Sequence, residues 1–91
     1  MSSQIQQSGT PINLSSSGVV SLAGGTMIGY HVNSTTSGTI VIRTGSTSGS
    51  TAVTGTITPV PGFQAFPGAF PNGAYATLAN TIDVTFFFAA G

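Results

Sequence analysis

Ile82-Asp83-Val84-Thr85-Phe86-Phe87-Phe88 alternates apolar and polar residues and then turns aromatic on both faces. A period of two marks a half-buried β-strand. Ile82, Val84, Phe86 and Phe88 therefore face a core, and Asp83, Thr85 and Phe87 face away from it. An outer strand of this kind should stay polar on its outward side. Phe87 breaks that pattern and needs a burial site of its own. Either a neighbouring subunit or the N-terminal arm packed over it supplies one.

The same period recurs along the chain. From Thr26 to Asn33, residues Ile28, Tyr30 and Val32 fall on one face and Met27, Gly29 and His31 on the other. Gly38 opens a strand with Ile40 and Ile42 inward and Val41 and Arg43 outward. Val53 to Thr58 alternates with Thr54, Thr56 and Thr58 on one face, until Pro59 and Pro61 stop the ladder. Shorter strands are expected at Ile12–Leu14, Val19–Leu22, Phe63–Phe66 and Ala74–Leu78. Phe63, Phe66 and Phe70 have helical spacing, but Pro61, Pro67 and Pro71 rule out a sustained helix, so the segment reads as a strand followed by a loop.

Turn signals separate these strands. They are Gly24-Gly25, the Ser/Thr/Gly run 44–51 (a mobile hairpin loop), Asn72-Gly73 and Ala79-Asn80-Thr81. Seven to eight short strands at roughly ten-residue intervals predict an all-β fold, a small antiparallel β-sandwich of jelly-roll-like form. No internal repeat points to a solenoid. Residues 1–18 are polar and read as an N-terminal arm with an edge strand, and residues 19–91 as the sandwich domain. Residues 1–10 are expected to be mobile in the free protein and ordered only on binding.

Charge is almost absent. The 91 residues include one arginine, one aspartate, no lysine and no glutamate, where soluble domains carry about a quarter charged residues. Nucleic-acid binding is excluded, because affinity for phosphates comes from clustered Lys and Arg and Arg43 stands alone. One His, one Asp and no Cys cannot furnish the three or four ligands of a zinc site, and no cofactor is expected. A Ser–His–Asp triad is formally possible through His31 and Asp83, but no serine lies in a nucleophile-elbow context. The sequence predicts no enzyme. The threonine row is too short for an ice-binding array, and Thr is a good strand former in any case. Arg43 and Asp83, the only two charges, both occupy outward phases and could pair across strands.

The N-terminal Met1-Ser2-Ser3-Gln4-Ile5-Gln6-Gln7 lacks a basic segment and an apolar core, so it does not read as a secretory signal. No run approaches the length of a membrane span. A Ser-, Thr- and Gly-rich surface without an export signal fits a virion component, made in a host cytoplasm and released by lysis.

The stretches Gly18-Val19-Val20, Thr26-Met27-Ile28-Gly29-Tyr30-His31-Val32-Asn33-Ser34 and Gly38-Thr39-Ile40-Val41-Ile42 carry a family resemblance. Thr56-Ile57-Thr58-Pro59, Asn72-Gly73-Ala74-Tyr75 and Ile82-Asp83-Val84-Thr85-Phe86-Phe87 continue it. Over roughly residues 12–88 the chain resembles the small virion proteins of tailed bacteriophages described as head decoration, cement or head-fibre proteins. These motifs are patterns of strand and turn residues rather than an active-site signature. The family often has an acidic residue where Thr44 or Gly45 stands here, and a shorter connection than Pro59–Pro71.

The longer Phe/Pro segment either carries a capsid contact or fills the end of the sandwich. The resemblance implies a non-enzymatic β-sandwich, commonly a homotrimer, on the outside of a phage head, where it reinforces contacts of the major capsid protein. Phe63, Phe66, Phe70 and Phe87 are the interface residues expected on that reading. The alternative is a head- or tail-fibre binding module that touches host glycans through Tyr30, Tyr75 or the Phe63–Phe70 loop.

Overall fold

The computed structural model describes residues 9–90 and places six strands in one antiparallel sheet, with no helix among them. The strands are β1 (Thr10–Leu14), β2 (Gly18–Ser21), β3 (Gly25–Thr44), β4 (Thr51–Ala52), β5 (Gly62–Phe70) and β6 (Ala74–Ala90). The mobility expected of residues 1–10 falls, for residues 1–8, outside the described residues.

β3 and β6 form the axis of the sheet, pairing from Gly25 with Ala90 to Thr44 with Ala74. β1 and β2 lie along the free edge of β6, and β4 and β5 along the free edge of β3. A straight strand of twenty residues would run about 65 Å, whereas the longest dimension of the molecule is 43 Å. β3 must therefore bend, and β6 bends with it. Register shifts at Met27/Gly29, Val32/Ser34 and Thr36/Thr39 each add a residue to β3, and such bulges kink a strand and increase its twist.

The corner itself is built from Ser37 and Asn80, both left-handed with φ of 58° and 63°. Asn80 Nδ2 donates to the Ser37 carbonyl at 2.7 Å, tying the two strands together at the bend. Asn tolerates this backbone region better than most residues because its side chain can bond locally. Asn80→Ala is expected to cost about 1–2 kcal/mol, from a non-Gly residue held left-handed and the lost hydrogen bond. A lower urea midpoint with an unchanged m-value would show it; an unchanged midpoint would mean that the corner is held elsewhere.

Bending brings the ends of the ladder together. Ser21 pairs with Ala74 and Gly25 with Phe70, so the chain entering one end of the ladder lies beside the chain entering the other. Both halves of the bent sheet contribute to one apolar core, with Met27, Val84, Phe86 and Phe88 from one half and Ile40, Ile42 and Ala76 from the other. Tyr30 packs on Phe86 at 5.9 Å between ring centroids and Phe70 on Phe88 at 6.2 Å, both tilted or edge-on as aromatic quadrupoles favour.

The inward phase of β6 is the expected one: Ile82, Val84, Phe86 and Phe88 are buried and Asp83, Thr85 and Phe87 are half-buried on the other face. Four details differ from the sequence reading. Six strands replace seven or eight, because the strand expected to open at Gly38 continues the one before it and the turn expected at Ala79–Thr81 is a corner inside β6 rather than a strand end. Ile28 does not share a phase with Tyr30 and Val32, since the bulge after Met27 resets the alternation and buries Met27 instead.

The third difference is at Val53–Thr58, which is not a regular strand. Only Thr51–Ala52 pairs with β3, followed by an isolated bridge between Ile40 and Ile57. Finally, β5 does not stop at Phe66 but continues to Phe70 through Pro67. Proline is tolerated there because β5 is an edge strand and Pro67 sits inside its register shift against β3. The other edges are blunted similarly: β1 carries Pro11, and β2 and β4 are only four and two residues long.

Candidate binding surface

The outward face of the β1–β6–β3–β5 half gathers most of the candidate residues. Register places Phe87 between Pro11 and Gly29, and Thr85 between Asn13 and His31, with Phe63 beyond His31. Gly29 shapes the aromatic end. A Cβ there would lie 2.6 Å from the Gln64 carbonyl and 2.8 Å from Phe63 Cζ, so glycine leaves the hollow over which the Phe63 ring lies. Phe63 then meets Phe87 edge-on at 6.0 Å. Phe63 is 56% exposed and Phe87 is half-buried, so the pair presents apolar surface to its surroundings.

Next to the rings lies a network of neutral amides around the one carboxylate. Asp83 Oδ1 accepts from Asn13 Nδ2 at 2.6 Å and from Asn33 Nδ2 at 3.3 Å. Both amides also donate to Thr85 Oγ1, at 3.2 and 3.1 Å. His31 Nδ1 meets Asn33 Oδ1 at 3.1 Å, a bond that requires the proton on Nδ1. Asn33 thus stands between His31 and Asp83, and the Asp–His contact of a triad is not formed. No group of three or more His, Cys, Asp or Glu side chains gathers among the described residues.

The structure separates other residues that the sequence linked. Arg43 pairs in register with Tyr75 at the start of β6, whereas Asp83 lies opposite Ser34 near the corner. The two charges do not form the ion pair. Arg43 instead donates from Nε to Thr77 Oγ1 at 2.9 Å and from a terminal nitrogen to the Ser50 carbonyl at 3.0 Å, pinning the 45–50 loop. Of the four expected interface phenylalanines only Phe63 and Phe87 face outward. Phe70 is buried and Phe66 packs against the core, 6.5 Å from Tyr30 between centroids. The threonine row also dissolves, because Thr54 Oγ1 turns to accept the Ile42 N–H at 3.0 Å.

A second feature brings together Tyr30 and the Phe63–Phe66 segment, residues named in the glycan-binding alternative. The connection 57–61 runs beside β5 and leaves a cleft of about 360 Å³ lined by Tyr30, Ile57, Pro59, Val60, Gln64 and Phe66 among others. The sequence placed Tyr30 on the face of Val32 and named it as a glycan contact, but did not show that the 57–61 connection lies beside it.

Burial holds the Tyr30 hydroxyl above its ordinary pKa by penalising the phenolate. A raised folded-state pKa contributes stability that is complete below the unfolded value near 10 and is lost as pH rises through the folded value. Stability is therefore expected to fall above about pH 10, and Tyr30→Phe to flatten that fall in denaturation series. A variant with the parent slope would overturn the assignment.

No protein-family model, curated protein or solved structure matches this chain.

Proposed function

We propose that the protein is a structural virion component that decorates the outside of a tailed-phage head and stabilises contacts between capsid subunits. The observation that carries this reading is the Phe63–Phe87 pair, an exposed ring against a half-buried one on a sheet face whose remaining groups are almost all neutral. An aromatic patch of this kind suits a contact with another protein. The sheet edges support the same direction. Prolines in β1 and β5 and the shortness of β2 and β4 oppose strand addition, which leaves the faces for docking.

The near absence of charge also fits. Independent soluble proteins rely on net charge to stay apart, whereas a protein held in an assembly can dispense with it. Neutral contacts also keep their strength when ionic strength varies, as ion pairs do not. On this reading the bent sheet is a small β-sandwich of jelly-roll type, its partners are the major capsid protein and two further copies in a homotrimer, and it performs no catalysis. A core shared by so short a chain without disulfides gains from such extra burial.

Quantitative mass spectrometry of purified particles tests the reading. Hundreds of copies per particle support decoration, a few dozen or fewer indicate a fibre, and absence from particles overturns the proposal.

A further inference from the structure

We propose that the cleft between β5 and the 57–61 connection binds a neutral saccharide ring. Its floor is Tyr30, only 3% exposed, with its ring packed on Phe66 and Phe86. The Tyr30 hydroxyl finds no hydrogen-bond partner among the described residues, yet none of their buried side-chain polar atoms is left unpaired. The hydroxyl is therefore not sealed in the core, and Tyr30 lines this cleft. A nearly buried side chain that offers one unused polar atom to a cavity is what a ligand site requires.

The lining selects the ligand chemistry. Ile57, Pro59, Val60 and Phe66 supply apolar walls, while Thr58 and Gln64 add a hydroxyl and an amide. Apart from the phenol, no ionisable side chain lines the cleft. A charged ligand would lose hydration without gaining a counter-charge, so the occupant is neutral. Hydroxyl, phenol and carboxamide groups each both donate and accept, which matches ligand hydroxyls that also do both. The C–H faces of a pyranose fit the apolar walls. A proline-rich peptide offers mainly carbonyl acceptors and would leave the acceptor half of this set unused. The volume of about 360 Å³ lies at the small end of ligand cavities, in keeping with a ring rather than a long chain.

The inference does not depend on attachment to a capsid, and its test uses the isolated full chain. The ¹⁵N-labelled protein is titrated with D-glucose, D-galactose and N-acetyl-D-glucosamine, and amide shifts are followed by NMR. At least one sugar is expected to give saturable shifts concentrated at Tyr30 and residues 57–66. Tyr30→Phe keeps the packed ring and removes only the hydroxyl, so its unfolding midpoint at neutral pH should stay near the parent value. Its affinity should fall about three- to tenfold. Gln64→Ala alters an exposed residue and should lower affinity in the same way, which provides a second reading if Tyr30→Phe perturbs the fold. Three results would overturn the site: no saturable shift with any of the sugars up to about 100 mM, parent affinity in both variants, or binding of a polyproline peptide in preference to the sugars.

Discussion

Phe86→Ser is expected to lower stability by more than about 3–5 kcal/mol, the usual cost of truncating a buried phenylalanine. The hydroxyl would add a further penalty in a site where Phe86 is fully buried against Tyr30. For a domain of this size that corresponds to a fall in melting temperature of about 15 °C or more, enough to leave much of the chain unfolded. Phe87→Ser, one residue along, should behave differently. Its side chain is half-buried on the opposite face and touches the exposed Phe63, so folding should lose only about 1 kcal/mol. The proposed docking to a capsid should suffer far more. Melting curves and particle co-sedimentation of both variants separate the cases. If Phe87→Ser unfolds the subunit and Phe86→Ser does not, the phase of β6 is reversed.

Gly38→Ala comes next, with an expected loss of about 3 kcal/mol, the upper end of the range for overpacking. A Cβ at position 38 would lie 2.5 Å from Ile82 Cβ and 2.9 Å from the Thr81 carbonyl oxygen. Neither neighbour can swing away: Ile82 is branched at that carbon and buried, and Thr81 contributes backbone. The Gly38 N–H also donates to Thr35 Oγ1 at 3.0 Å, a bond that any relief of the clash would stretch. Gly49 provides the control, since nothing lies within 4 Å of its added Cβ and Gly49→Ala should change stability by less than about 1 kcal/mol. Urea denaturation of both decides the point. Equal midpoints would show that β3 and β6 do not pack this closely at the bend.

Much of the fold was legible in the residues. The inward set of β6 and the pair Ile40 and Ile42 follow from alternation alone, because a single-residue slip would carry every apolar side chain to the wrong face. The length of β3 was not legible. Ser37, Gly38 and Asn80 are residue types that end strands as readily as they bend them, and only the partner strand decides which occurs. The misplacement of Ile28 has the same origin: a bulge is a property of two strands in register, so the period of one strand cannot reveal it.

The candidate surface was legible in part. Phe87 stood out as an aromatic on a face that should be polar, and Phe63 joined it as a neighbour. Asn13 and Asn33, which hold Asp83, gave no signal, because neutral amides are common on outward faces and their convergence depends on the pairing of β1, β6 and β3. Arg43 and Asp83 were drawn together as lone opposite charges, but backbone carbonyls, amides and hydroxyls satisfy each of them locally.

The ladder between β3 and β6 also determines when the protein can become itself. Even its closest pair along the chain, Thr44 with Ala74, has the whole of residues 45–73 between its members, and Gly25 must find Ala90. Closing such loops costs entropy before any contact repays it, which places all-β chains of this type in the millisecond-to-second range of folding. Met27 and Tyr30 can pair with β5, and Tyr30 can meet Phe66, before β6 exists, but Phe86 and Phe88 reach them only when the end of β6 has been synthesised. β1 and β2, whose strand partner is β6, wait for it as well, so the last strand made is the one that completes the sheet.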